Sequence, residues 1–154
     1  MLTLRPVEAN DQPFIAQLYG STREAEFQHL VWPEAQKQAF LTMQLRAQTT
    51  DYASRYPDAS HQLILHQEHP VGRLYRWESG AEVRIIDISL LPEFQGQGIG
   101  RRILTDVLES ARRQQLAVTL HVAHGNPAKR LYESLGFYQV RDTGTSYFME
   151  WRPA

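Results

Sequence analysis

The chain contains no cysteine. Disulfide bridges, thiolate metal sites and a cysteine nucleophile are therefore excluded, and any chemistry must rest on other groups. An excess of one charge is also missing. Sixteen Lys and Arg stand against seventeen Asp and Glu, a formal net charge of −1. A domain that grips nucleic acid through its backbone needs a basic surplus, so no nucleic-acid partner is expected. No apolar run approaches the roughly 20 residues that span a bilayer, and no membrane partner is expected. The opening MLTLRPVEAND has no basic stretch leading into an apolar one, so no secretory leader is expected either. A cytoplasmic setting fits these absences. Repeats, low-complexity tracts and Pro/Gly/Ser-rich linkers are lacking too. The 154 residues are thus read as a single domain, 1–154, large enough for a proper core.

What is present is a change of hydrophobic period along the chain. LTLRP alternates as a short strand, and Asp11 stands as a helix N-cap before the stripe Phe14, Ile15, Leu18 and Tyr19. A second helix is predicted from near Pro33, with Phe40, Leu41, Met43, Leu45 and Tyr52 on its inner side. HQLILH and VGRLYRW read as strands joined by the turn QEHP, and SGAE turns into a third strand, EVRIIDISL. A helix follows with Ile103, Leu104, Val107, Leu108 and Ala111 at helical spacing. VTLHV is a buried-type strand. NPAKRLYESLG is a short helix with Asn126 as N-cap, Pro127 in its first turn and Gly136 as its stop. FYQVR and SYFMEW close the chain as a hairpin around Gly144. The order β-α-α-β-β-β-α-β-α-β-β implies an α/β (α+β) sandwich: a mixed sheet with helices on both faces.

Between the third strand of the central run and its helix lies QGQGIG, with glycines at 96, 98 and 100. The dinucleotide fingerprint G-x-G-x-x-G fails because Arg101 stands where its third glycine belongs. A P-loop fails for want of Lys-Ser or Lys-Thr. What remains is Gln-x-x-Gly-x-Gly directly before a helix. Such a turn aims backbone N–H groups and the positive end of the helix dipole at one spot, a geometry suited to a pyrophosphate. Arg101 and Arg102 add cationic charge there. An unliganded glycine-rich turn is the other reading of the motif taken alone.

The motif has company. DISLLPEFQGQGIGRRILTDVLESA and, a helix and strand later, NPAKRLYESLGF together resemble the two signature segments of the GNAT superfamily of acyl-CoA-dependent N-acyltransferases. Gln95, Gly98 and Gly100 occupy the Q/R-x-x-G-x-G/A positions, and Leu131, Tyr132, Gly136 and Phe137 the Leu-Tyr-x-x-x-Gly-Phe positions. One departure is that Asn126 stands two residues before Ala128, where the family often has three. The resemblance implies that family's fold, a mainly antiparallel sheet of about seven strands. It also implies direct transfer of an acetyl group from acetyl-CoA to an amine, with no metal.

Site residues follow from the same resemblance. The coenzyme pyrophosphate falls to Gln95, Gly96, Gln97, Gly98, Ile99, Gly100 and Arg101. The pantetheine falls to Ser89, Leu90 and Leu91, where the fourth and fifth strands part, and a main-chain N–H there polarises the thioester carbonyl. Asn126 is a further coenzyme contact. Tyr132 is placed near the sulfur as general acid. For the base that takes the amine proton the order is Glu82 on the fourth strand, then His121 on the fifth, then Asp87. His121 alternates with Leu120 and Val122, so it faces away from them, and the reference pKa of an imidazole suits a base.

The spaced pairs His66/His69 and His121/His124 have no cysteine or carboxylate cluster beside them, so no metal site is assigned. In this family the first two helices and the last hairpin line the acceptor side, which makes Trp32, Met43, Tyr52, Tyr56, Arg73, Tyr75 and Tyr147 candidates there. The acceptor is an amine on a small molecule or a protein, and a homodimer is compatible with the reading. A non-catalytic acyl-CoA-binding module of the same fold is the alternative, and the acid/base set separates the two.

Overall fold

The alternating LTLRP forms β1 (Leu2–Pro6), which pairs antiparallel with β2 (Ser60–His66) from Leu2–His66 to Pro6–Gln62. The computed structural model describes residues 1–28 and 30–154. By internal packing these fall into two compact units, Met1–Leu74 with Ser89–Gln95 and Tyr75–Ile88 with Gly96–Ala154.

The first unit carries α1 (Gln12–Phe27) and α2 (Glu34–Arg55). Their apolar faces meet in a cluster of Tyr19, Phe27 and Leu41, flanked by Trp32, Phe40 and Leu45. Phe27, Trp32 and Phe40 contact edge to face, with ring centroids 5.3–6.0 Å apart, the geometry that ring quadrupoles favour. Two expectations fail here. Met43 is 58% exposed, because Leu41 and Leu45, one turn apart, set the inner face and position 43 falls between turns. Asp11 stands at the N-cap position of α1, but its side chain makes no capping bond to the helix. Its carboxylate takes a two-pronged pair from Arg5 at 2.8 and 2.9 Å and the Glu8 N–H at 2.7 Å, which hold it down at about 2.

β2 turns into β3 (His69–Glu78) through only Gln67 and Glu68, both with positive φ (51° and 71°). The four-residue turn expected at QEHP is thus a two-residue hairpin, and His69 and Pro70 belong to the strand. Within the same unit, a Cβ on Gly72 would lie 2.2 Å from the Ser89 carbonyl oxygen and 2.7 Å from Leu90 Cδ2. The Leu91 N–H donates to Val71 O at 2.8 Å beside it.

β4 (Glu82–Leu90) continues the sheet. The second unit adds α3 (Ile99–Gln114), β5 (Ala117–Ala123), α4 (Ala128–Ser134), β6 (Tyr138–Asp142) and β7 (Ser146–Trp151). The seven strands run in the order β1-β2-β3-β4-β5-β7-β6. β4 and β5 are parallel, while β5–β7 and β6–β7 are antiparallel. The predicted stripe of α3, with Ile99 added, is wholly buried, each branched aliphatic side chain contributing about 1.5–3 kcal/mol. Val118, Leu120, Met149 and Trp151 form the sheet face of this unit that turns inward. Among the described residues no helix is long and apolar enough to cross a membrane.

Candidate functional site

Three local features of the chain carry most of the sequence-predicted site residues. The first is the end of β4. The ladder between β4 and β5 runs from Glu82–Ala117 to Ile85–Leu120, yet β4 continues to Leu90 and β5 to Ala123. Past Ile85 the two strands part. Ser89 and Leu90 lie in the continuing stretch and are half-buried, and Leu91 is buried. A 3-10 turn, Pro92–Phe94, follows, and the Gln95 side-chain amide donates to Leu90 O at 3.0 Å, fastening the loop to the strand it leaves.

The second feature is the glycine turn. Gly96 and Gly98 have φ of 74° and 86°, a region where a side chain is strained, and a Cβ on either would meet nothing within 4 Å. Gly98 opens α3, its carbonyl accepting the Arg102 N–H at 3.0 Å. The first-turn N–H groups of Ile99, Gly100 and Arg101 therefore have no carbonyl within the helix to bond. Open space thus lies over a turn whose dipole end is positive. Gly96, Gln97 and Gly98 are exposed, Ile99 is buried, and the exposed Arg101 donates to Ser134 Oγ at 3.0 Å.

The third is α4. Asn126 Oδ1 accepts the Ala128 N–H at 2.9 Å, so the asparagine caps the helix. At the other end Gly136 (φ 103°) permits a paired stop: its N–H bonds Glu133 O, and the Phe137 N–H reaches Tyr132 O, both at 3.0 Å. This closure lays Phe137 against Tyr132, with ring centroids 5.8 Å apart. The Leu-Tyr-x-x-x-Gly-Phe spacing therefore has a mechanical meaning, since it locks the tyrosine. Tyr132 is buried, and burial first, then the charge of Asp87, pushes its phenol up to about 12.

The candidate bases are scattered by strand position. Glu82 opens β4, where its carboxylate accepts the Thr119 hydroxyl and lies 3.5 Å from the Arg84 guanidinium. Arg84 Nε donates in turn to Thr119 at 2.7 Å. This network was not legible in the sequence, because it needs the β4–β5 register to bring 84 opposite 119. His121 lies past the last β4–β5 pair, is exposed, and has its ring 4.9 Å from Phe148. Asp87 also lies past that pair, within electrostatic reach of Tyr132.

Among the acceptor-side candidates, Trp32 sits in the aromatic cluster of the first unit and Met43 is exposed. Arg73 is buried and donates to Gln48 Oε1 at 2.9 Å. Tyr52, Tyr56, Tyr75 and Tyr147 are half-buried. His66 and His69 flank the β2–β3 turn, and His124 pairs with Asp142. No group of three or more metal-ligating side chains occurs among the described residues.

Known proteins share a family model and a fold with this chain. Residues 18–137 match the family model described as the acetyltransferase (GNAT) family. No curated protein matches by sequence. Among solved structures, the PaiA N-acetyltransferase of Thermoplasma acidophilum in complex with coenzyme A is 14% identical, with 99% of each chain covered and a TM-score of 0.72. The ribosomal-protein-S18-alanine N-acetyltransferase of Escherichia coli is 20% identical, covering 100% of this chain and 95% of that one, with a TM-score of 0.64. A GNAT family acetyltransferase of Elizabethkingia anophelis with acetyl-CoA bound is 15% identical, covering 98% and 97%, with a TM-score of 0.60. At these identities the likeness is one of fold.

Proposed function

The chain belongs to the acetyltransferase (GNAT) family, and from that premise we propose that residues 1–154 act as one N-acetyltransferase domain. It moves an acetyl group from acetyl-CoA directly to a primary amine. The observation that carries this reading is the pair of left-handed glycines, 96 and 98, leading into the first turn of α3, whose N–H groups have no carbonyl partner within the helix. Two phosphates fit that demand, since they satisfy several N–H groups at once without a Cβ in the way.

In this reading the pyrophosphate lies on Gly96–Arg101 with Gln95, and the pantetheine runs along Ser89–Leu91, with Asn126 as a further contact. The amine nitrogen attacks the thioester carbonyl carbon, a main-chain N–H near Leu90 steadies the developing oxyanion, and the C–S bond breaks. Tyr132 holds its proton at every physiological pH. A departing thiolate has an ordinary pKa near 8.5, well below that of this phenol. Tyr132 therefore serves as a hydrogen-bond donor to the sulfur more readily than it surrenders its proton outright.

The proton leaving the amine goes to a base, directly or through water. Glu82 stands eight strand positions, roughly 26 Å, from Leu90 and is engaged by Thr119 and Arg84. The strand geometry therefore favours His121 for this role, then Asp87, both beyond the point where β4 and β5 part.

Coenzyme A thiol release, followed with acetyl-CoA across a panel of amines, tests the proposal. Acceptor-dependent release supports it. Coenzyme binding without release for any amine would instead point to a non-catalytic acyl-CoA module.

A further inference from the structure

His124, just beyond β5, faces the turn between β6 and β7. Its Nε2 lies 2.8 Å from Asp142 Oδ1, and that same oxygen accepts the Gly144 N–H at 2.9 Å. The His124 N–H donates to Thr145 O at 3.1 Å, and its ring packs on Tyr147 with centroids 4.4 Å apart. Over the Tyr147 ring sits Lys129 Nζ, 4.3 Å from its centroid, on the first turn of α4. The hydrogen bonds to Gly144, His124 and the charge of Lys129 keep the Asp142 carboxyl below its usual range, so it is ionised at neutral pH.

Two residues on from His124, Asn126 closes the junction through Ala123 O and caps α4. Gly125 between them has φ of 82°. The junction is thus a short, turned segment, bonded from outside to the hairpin turn through His124. Tyr132 lies one turn further along the same helix.

We infer that the His124–Asp142 pair is a positioning element for the coenzyme site. It fastens the β5–α4 junction to the β6–β7 turn and so fixes where Asn126 and the Tyr132 helix stand. The inference rests on the acetyl-CoA reading given above. Neither His124 nor Asp142 is assigned contact with coenzyme or acceptor.

The test uses the full chain with His124→Ala, Asp142→Ala, their double variant and the conservative His124→Gln, which retains a side-chain N–H donor. Calorimetry with coenzyme A is expected to show about fivefold weaker binding in each alanine variant, the scale of one well-held surface pair. The double variant is expected to be no worse than either single one, and His124→Gln to recover most of the loss. KM for acetyl-CoA is expected to rise more than kcat falls. Hydrogen exchange at 124–130 is expected to speed up while α3 keeps its protection.

Unchanged affinity in both alanine variants, or losses that add in the double variant, overturns the inference alone. Faster exchange in every element alike also overturns it, because the pair then acts on global stability. A wild-type chain that binds no coenzyme A overturns the site reading and this inference with it.

Discussion

Tyr132 owes its reluctance to ionise to its surroundings, burial chiefly and the Asp87 charge next. Two expectations follow at the scale of this one residue. Tyr132→Phe, which keeps the ring against Phe137 and removes the hydroxyl, should cut turnover by about ten- to a hundredfold while leaving coenzyme affinity nearly untouched. Steady-state kinetics beside calorimetry separates the two effects, and equal turnover would remove Tyr132 from the chemistry. The second concerns pH. The folded value, about 12, lies above the free value of 10.0, so the neutral phenol's stabilising contribution is complete below pH 10 and is lost as pH climbs from 10 towards 12. Denaturant melts across that window should show wild type losing stability faster than Tyr132→Phe. The role proposed for Tyr132 rests on the resemblance. Its burial and its neighbour were not, since Asp87 lies 45 positions away in the chain and meets it only through the fold.

At the scale of elements, the glycine turn and β3 test different things. Gly98 has open space where a Cβ would go, so Gly98→Val should strain a backbone at φ 86° and put bulk where phosphate is expected. Coenzyme affinity should fall at least about tenfold with only a modest loss of stability, and unchanged affinity by calorimetry would count against the loop assignment. Gly72 is the reverse case. Its missing Cβ lets the Ser89 carbonyl approach to within 2.2 Å of where that atom would lie, so Gly72→Ala should cost about 2–3 kcal/mol in chemical denaturation. A loss below about 0.5 kcal/mol would show that the end of β4 shifts freely.

Element type was readable because period and punctuation agreed: α3 presents Ile103, Leu104, Val107 and Leu108 as one buried stripe, as the spacing requires. Local chemistry was less readable. Asp11 has the right residue type for a cap, yet the Arg5 pair claims both of its oxygens. The QEHP turn is shorter because β2 runs to His66 and β3 begins at His69, leaving Gln67 and Glu68, both with positive φ, to make the turn.

For the molecule as a whole, acetyl-CoA should raise the apparent melting temperature, because a ligand held only by the folded chain shifts the folding equilibrium towards it. ATP and NAD should raise it less. A shift equal for all three would mean that any phosphate is enough, and the acyl carrier is not specifically held.

The sequence alone determined the order of strands and helices, the glycine turn before α3 and the Tyr132–Gly136–Phe137 spacing, because each depends on residues within a few positions of one another. Tertiary structure alone decided where β4 leaves β5, which carboxylate lies near Tyr132, that Glu82 is bound up with Thr119 and Arg84, and that His124 meets Asp142. The first and third depend on the β4–β5 register, the second on where α4 packs and the fourth on the turn after β6, and each of these is set by packing between residues far apart in the chain.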